Sequence, residues 1–316
     1  MIKKNAQVAN FNIVFGDQES PMLDYFDTIV FPALTSGIAK VSDDNKYLFM
    51  NIGITKSKSG LYTLTGILVK KTIVEIKSDL TEDGQLIEKD EKYSSAPYSS
   101  FAINLRNHRM LFIPNQKGSP SIATFKSTLQ YVIETYIKTQ NIDRDEEKKY
   151  PDALIKVVGI PSAKTMDELL DNVEKINSLT LRFYPLNGDI DYTEAFGFLT
   201  TEMRNTVGSK NGEIIFKSPK RIDGVKKLLE KAAGTIDPII RVITKNGSKA
   251  TLKADELSEK YELTFNDEAD IGQDGTQLVE RMSNIETLTF TNENHDEIYN
   301  RNINRINSVK RSGDSY

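Results

Sequence analysis

The sequence predicts an α+β protein, with an N-terminal β-rich domain (a meander with flanking helices) followed by an α/β domain with a mixed sheet. Three observations predict it. Between Tyr47 and Pro114 the chain is dominated by β-branched and aromatic runs, KYLFMNIGI, LYTLTGILV and KTIVEIKSD, with Asp83-Gly84 as a tight-turn signal. From Ala153 to Leu257 strand-like and helix-like periods alternate with short connections. Between these regions, residues 139–152, TQNIDRDEEKKYPD, form a dense charge run ending near a proline, which reads as a linker or as a solvated helix end. The expected division is a β-rich domain over 1–145, an α/β domain over 146–265, and a C-terminal extension with a short helix over 266–316.

Each element has a local reason. Ser20-Pro21 is a helix-opening pair, because a hydroxyl can cap free N–H groups and proline at the first helical position forfeits no hydrogen bond; Leu23, Phe26 and Val30 follow at helical spacing. FAINL and RMLFIP supply one or two further strands after the meander. Ser119-Pro120 repeats the capping pair, and Ile122, Phe125, Leu129, Val132, Ile133 and Tyr136 then line one helical face. Beyond the linker, ALIKVVGI reads as strand, TMDELLDNVEKIN as helix, LTLRFYPL as strand and TEAFGFLTTEMRNTV as helix. GEIIFKSP, RIDGVKKLLEKAAG and IIRVITKNG continue as strand, helix and strand, turning at Asn246-Gly247 into TLKADEL. Near the end, Tyr299, Ile303 and Ile306 share one face of a short helix while Arg301 and Arg305 lie on another, a helix placed to pack on a neighbouring chain or to fray.

Composition excludes more than it selects. The chain has 316 residues, of which 38% are hydrophobic, enough to bury a substantial core. With no cysteine there are no disulfides, thiolate nucleophiles or thiolate zinc sites, which suits a reducing cytoplasm. No apolar run has the length of a signal peptide or membrane span, so the expectation is a cytoplasmic protein without membrane insertion. The net charge of -4 means that any nucleic-acid contact must come from a local cationic patch.

Catalytic signatures are sparse. Neither G-x-G-x-x-G nor G-x-x-x-x-G-K-[ST] occurs, although Lys117, Gly118 and Ser119 precede a helix where an anion could sit. The only histidines, His108 and His295, are far apart in sequence, so no H-E-x-x-H zinc site can be written, and no G-x-S-x-G elbow accompanies any serine. The RNHR stretch, Arg106 to Arg109, reads as a hairpin bend presenting guanidinium groups, with Asn104, Asn107 and His108 making local hydrogen bonds. A Mg²⁺-dependent nuclease needs only carboxylates and a lysine. Glu75 and Lys77 share one face of a strand, and Asp43 or Asp44 could complete such a site; Mg²⁺ is the one cofactor considered, under this alternative alone. Asp24 and Asp27 read as the solvated face of the first helix.

Two basic spots remain. Ile222, Val225, Leu229 and Ala232 form the buried stripe of a helix, leaving Lys220, Lys227 and Lys231 on another face with Lys226 beside them, a row suited to phosphates or simply to solvent. Arg106 and Arg109 form a second spot near Lys117 and Lys126, with Tyr98 as a neighbouring aromatic and Phe101 pointing inward.

The run APYSSFAINLRNHRMLFIPNQKGSPSIATFKSTL, with LTLRFYPLNGD further on, resembles a loosely defined group of uncharacterised bacterial proteins found among phage-defence and mobile-element genes. The likeness spans about residues 11–265 and implies a context, antiviral defence, without a reaction. The leading expectation is therefore a non-catalytic binder of DNA or RNA, acting as a homodimer or with a partner protein from the same operon, through Arg106, Arg109, Lys117, Lys220, Lys226, Lys227 and Lys231. The alternatives are the nuclease using Glu75 and Lys77, and a protein-binding regulator or inhibitor suited by the acidic pI of about 5.5.

Overall fold

The computed structural model describes residues 1–58, 60–188, 197, 202–266 and 275–313, with side chains described as far as Lys310. In chain order, β1 (Ile2–Phe15) is followed by β2 (Ser20–Pro21) and a helical segment that tightens and loosens through a 3-10 turn (Met22–Tyr25), a π turn (Phe26–Val30) and α1 (Phe31–Thr35). The meander comprises β3 (Ala39–Ser42), β4 (Asn45–Lys56), β5 (Tyr62–Leu80), β6 (Leu86–Ser95), β7 (Tyr98–Asn104) and β8 (Arg109–Pro114), and α2 (Ile122–Asn141) follows. Next come β9 (Ala153–Gly159), α3 (Ala163–Leu170), β10 (Val173–Phe183), β11 (Gly212–Lys217), α4 (Ile222–Ala232), β12 (Asp237–Thr244) and β13 (Lys249–Lys253). The chain ends with α5 (Ala254–Leu257), β14 (Lys260–Phe265), α6 (Gly275–Met282), α7 (Glu286–Thr289) and α8 (Glu293–Gly313). The fold is α+β with an N-terminal β-rich region. No helix among the described residues is long and apolar enough to cross a membrane.

The large sheet runs β14-β1-β8-β7-β5-β4-β3, with β9 also on β1 and β6 also on β5. β1 is its axis. One edge pairs first with β14 and then with β9, and the other with β8 and then β2. Thus β9 and β14, both beyond the 139–152 charge run, hydrogen-bond to the strand that begins the chain. One face of the sheet packs on α2, the 22–35 segment and α8; there Phe125 of α2 meets Phe11, Phe49, Phe101 and Phe112 edge-on, at centroid distances of 5.0 to 6.3 Å. The other face buries Ala6, Val8, Leu111 and Phe265 against Leu278 and Met282 of α6 and Leu288 of α7.

Several local expectations change. Ser20 does not cap a helix, because Ser20 and Pro21 are held extended against Phe15 and Val14; the N–H of Met22 is instead taken by Asn187 Oδ1 at 2.8 Å. The cap of α2 is Ser121, which accepts from the Thr124 N–H, while Ser119 Oγ accepts from Gln116 N. The helix expected over TMDELLDNVEKIN stops at Leu170, and VEKIN opens β10, where Val173 and Ile176 join the core. Of the helix expected over 193–207, residues 193–196 and 198–201 lie outside the described residues, and Arg204–Thr206 are helical. The second sheet, β11-β10-β12-β13, is antiparallel in every pairing rather than mixed. The terminal helix is 21 residues long, not short, and buries Ile298, Tyr299, Ile306 and Val309 in the main core. Its Arg301 and Arg305 bind Asp24 and Asp27 at 3.0 and 2.9 Å, so those two acids are ion-paired rather than simply solvated.

The small sheet packs one face on α3 and α4, through Leu179, Leu181, Ile240 and Val242 against Met166, Leu170, Val225 and Leu229. It docks on the large sheet through polar groups. Asn12 Nδ2 donates to Pro185 O at 2.9 Å, and Asn12 Oδ1 accepts from Asn187 N at 2.5 Å. Asn10 Nδ2 and Tyr184 Oη both donate to Gly234 O, at 3.3 and 3.0 Å. Gly234 has φ +81°, and a Cβ there would stand 2.9 Å from Ile160 and 3.1 Å from Asn10, so the seam requires glycine on both counts. Buried polar groups are tolerated when bonded and costly when orphaned. Asn12→Ala, which strands two backbone groups, is therefore expected to lower the unfolding free energy by about 2–4 kcal/mol in denaturant titration, against no measurable change for exposed Lys3→Ala.

Candidate nucleic-acid interface

The β7–β8 hairpin bend is built as its asparagines suggest: Asn104 Oδ1 accepts from Arg106 N and Asn107 Oδ1 from Arg109 N, both at 3.0 Å, with His108 at φ +57°. Its guanidinium groups are not held out to solvent. Arg106 grips both oxygens of Asp296, with Nη2 to Oδ2 at 2.6 Å, and this guanidinium holds the Asp296 carboxyl below the usual carboxylate range. Arg109 is 2% exposed and donates to Ala233 O at 3.0 Å, a cation at the electronegative C-terminal end of α4. Lys117 is exposed in the loop before α2, and Phe101 is buried in the aromatic cluster.

The α4 row divides as well. Arg221 is the N-cap of α4, so Lys220 lies in the loop ahead of the helix and only Lys226, Lys227 and Lys231 are on it. Lys226 binds Asp167 of α3 at 2.6 Å. Lys227 and Lys231 are exposed, and Lys231 borders a cleft it shares with Glu230 and Glu286.

Folding brings the two histidines together, which their separation in sequence hid. His108 and His295 are 1% and 0% exposed, and their rings meet edge-on at 6.2 Å between centroids. Glu75 and Lys77 do share a strand face, 3.5 Å apart, but Lys92 also binds Glu75 at 2.8 Å, and the two lysines, Lys92 foremost, lower its pKa. Among the described residues, no group of three or more histidine, aspartate or glutamate side chains is placed to hold a metal ion.

A different surface gathers cations. Because the small sheet packs only its inner face on α3 and α4, the alternate residues of its strands form an outward face. Cross-strand register defines that face row by row: Lys175 beside Ile243 and Lys249; Lys217 beside Ser178, Arg241 and Thr251; Ile215 beside Thr180, Ile239 and Lys253; and Glu213 beside Arg182 and Asp237. Directly opposed residues share a face, so this assignment follows from pairing alone. Lys175, Lys217, Arg241, Lys249 and Lys253 are exposed, and Arg182 faces Glu213 at 3.5 Å. Six cations thus stand against two acids, with Ser178, Thr180 and Thr251 hydroxyls among them. The face lies on the side of the sheet opposite α4.

Neither models of known protein families nor curated proteins match the chain, so the site is read from its own residues. The open face was findable in sequence: KATLK and IIRVIT alternate with Lys249, Thr251 and Lys253, then Ile239, Arg241 and Ile243, on one side. A search for cations along helical faces passes over it.

Arg109→Met tests whether this buried guanidinium supports the fold or touches a ligand. The variant is expected to lose about 2–3 kcal/mol of unfolding free energy, because the end of α4 loses its charged donor, with oligonucleotide affinity unchanged by fluorescence anisotropy at a temperature where the variant is folded.

Proposed function

We propose that the protein is a non-catalytic nucleic-acid-binding component of a bacterial antiviral defence system, and that it engages the phosphate backbone of DNA or RNA through the open face of the small sheet. The observation that carries this reading is the charge on that face, six cations against two acids in a chain whose net charge is -4. Gathered cations overcome a weakly repulsive molecule because each phosphate they neutralise releases condensed counterions. Serine and threonine hydroxyls between the cations can hydrogen-bond phosphate oxygens or a ribose 2′-hydroxyl. The register places no aromatic side chain on the face among the described residues, which favours backbone contact over base stacking. The defence context comes from the resemblance of residues 11–265, and the proposal assigns no bond-breaking step.

A second reading, a protein-binding regulator, is favoured by one feature: β5 and β6 run on beyond the sheet as an acidic arm with exposed apolar side chains.

The test is anisotropy with labelled single- and double-stranded DNA and RNA over a salt series. For duplex DNA, Arg241→Glu with Lys253→Glu is expected to weaken binding at least about tenfold and to flatten the salt slope by about 2, near 0.9 per lost phosphate contact. Lys227→Glu with Lys231→Glu is expected to leave both within about twofold. If the wild-type protein binds none of the probes at low salt, the proposal fails; if only the α4 pair changes the slope, the contact lies on α4 and not on the sheet.

A further inference from the structure

The arm has no covering partner within the described chain. β4 pairs with β5 only as far as Lys71 and β7 only as far as Val69; from Thr72 to Leu80 the strand continues with β6 alone, through Thr72↔Ser95, Val74↔Tyr93, Ile76↔Glu91 and Leu80↔Leu86. Nine residues of strand project about 30 Å at roughly 3.3 Å each. An isolated two-stranded hairpin is marginal in water, and an exposed apolar face on one marks a docking surface.

The two faces of the arm differ. Cross-strand pairing puts Val74, Ile76, Leu80, Leu86 and Tyr93 on one face, with exposures of 47, 36, 67, 75 and 52%. The opposite face carries ion pairs, Glu75 with Lys92 and Asp79 with Lys89, each at 2.8 Å, and of the large apolar residues only Ile73 and Ile87. Residues 72–95 hold three lysines and seven acids, a net charge of -4 that equals the net charge of the whole chain, so the remainder is balanced. Two arms packed on each other would set like charges together.

We propose that the apolar face of the arm docks on the open face of the small sheet of a second copy of this chain. That face offers what the arm lacks. Ile215, Ile239 and Ile243 give it apolar ground for Val74, Ile76, Leu80 and Leu86, and its surrounding lysines and arginines meet Glu88 and Glu91, which sit among the arm's apolar residues. Two sheets stacked this way pack about 10 Å apart. Each copy presents one arm and one face, so assembly closes where two copies exchange arms or a larger ring forms, and otherwise extends as a chain. The arm and nucleic acid claim the same face, and oligonucleotide therefore dissolves the assembly. The inference shares that surface with the nucleic-acid reading but stands on the arm.

Analytical ultracentrifugation of the full chain at low salt tests it. The wild-type protein is expected to sediment as species that grow with concentration and revert to monomer in about 1 M salt, where the Debye length falls to about 3 Å. Leu80→Ser with Leu86→Ser, at exposed positions beside the arm's turn, and Arg241→Glu with Lys253→Glu are each expected to give monomers on their own. Mixed together, the two variants are expected to form a one-to-one complex, since the first keeps its face and the second its arm. A wild type that stays monomeric at every concentration, variants that assemble like wild type, or a mixture that does not associate overturns the inference. Anisotropy on the arm variant separates the two proposals: retained oligonucleotide binding with no wild-type assembly sinks only the docking, and assembly without oligonucleotide binding sinks only the nucleic-acid reading.

Discussion

β1 is bonded along both edges and, from Val8 onward, buried on both faces, and the placement of both layers follows from it. Its odd-numbered residues, Ala9 to Phe15, enter the aromatic core under α2, while Ala6 and Val8 face α6 and α7. On that second face Asn10 and Asn12 replace hydrophobic residues: both amide atoms of Asn12 are bonded by the 184–187 loop, and Asn10 Nδ2 donates to Gly234 O in the 233–234 loop of the small layer. An apolar seam would accept many orientations. A buried amide accepts few, because a mispositioned loop leaves desolvated donors and acceptors unbonded. Arg109 completes the seam by binding the carbonyl end of α4.

Docking through loops and a helix end leaves one face of the small sheet uncovered among the described residues, and six cations stand on it. Opposite it in character is the arm. The arm's net charge of -4 equals that of the whole chain, while six cations and two acids share the sheet face, so a nearly neutral average conceals local charge of both signs. Net charge alone therefore misjudges its capacity to bind polyanions.

Much of this was legible before folding. The meander, the α2 stripe ending at Tyr136, and the Val225, Leu229 and Ala232 stripe of α4 all follow from period and burial. β1 has a weak sequence signal because burial on both faces erases the alternation that identifies a strand, and two asparagines interrupt what remains. VEKIN looked helical because its bulge breaks the period of two. The candidate cations illustrate a different limit: Arg106, Arg109 and Lys226 were visible as charges, but their partners Asp296, Ala233 and Asp167 lie 190, 124 and 59 residues away. Pairings at such separation carry no local signal, and the meeting of His108 with His295 is of the same kind.

The dependence of both layers on β1 is tested most directly by native-state hydrogen exchange. The account predicts that the amides of β1 between Val8 and Phe15 are among the slowest in the molecule, and that those of β10 and β12 exchange with them at the rate set by global unfolding, while the arm beyond Lys71 exchanges about a hundredfold faster or more. Exchange of β10 and β12 through a separate, lower-energy opening, with β1 still protected, would contradict it.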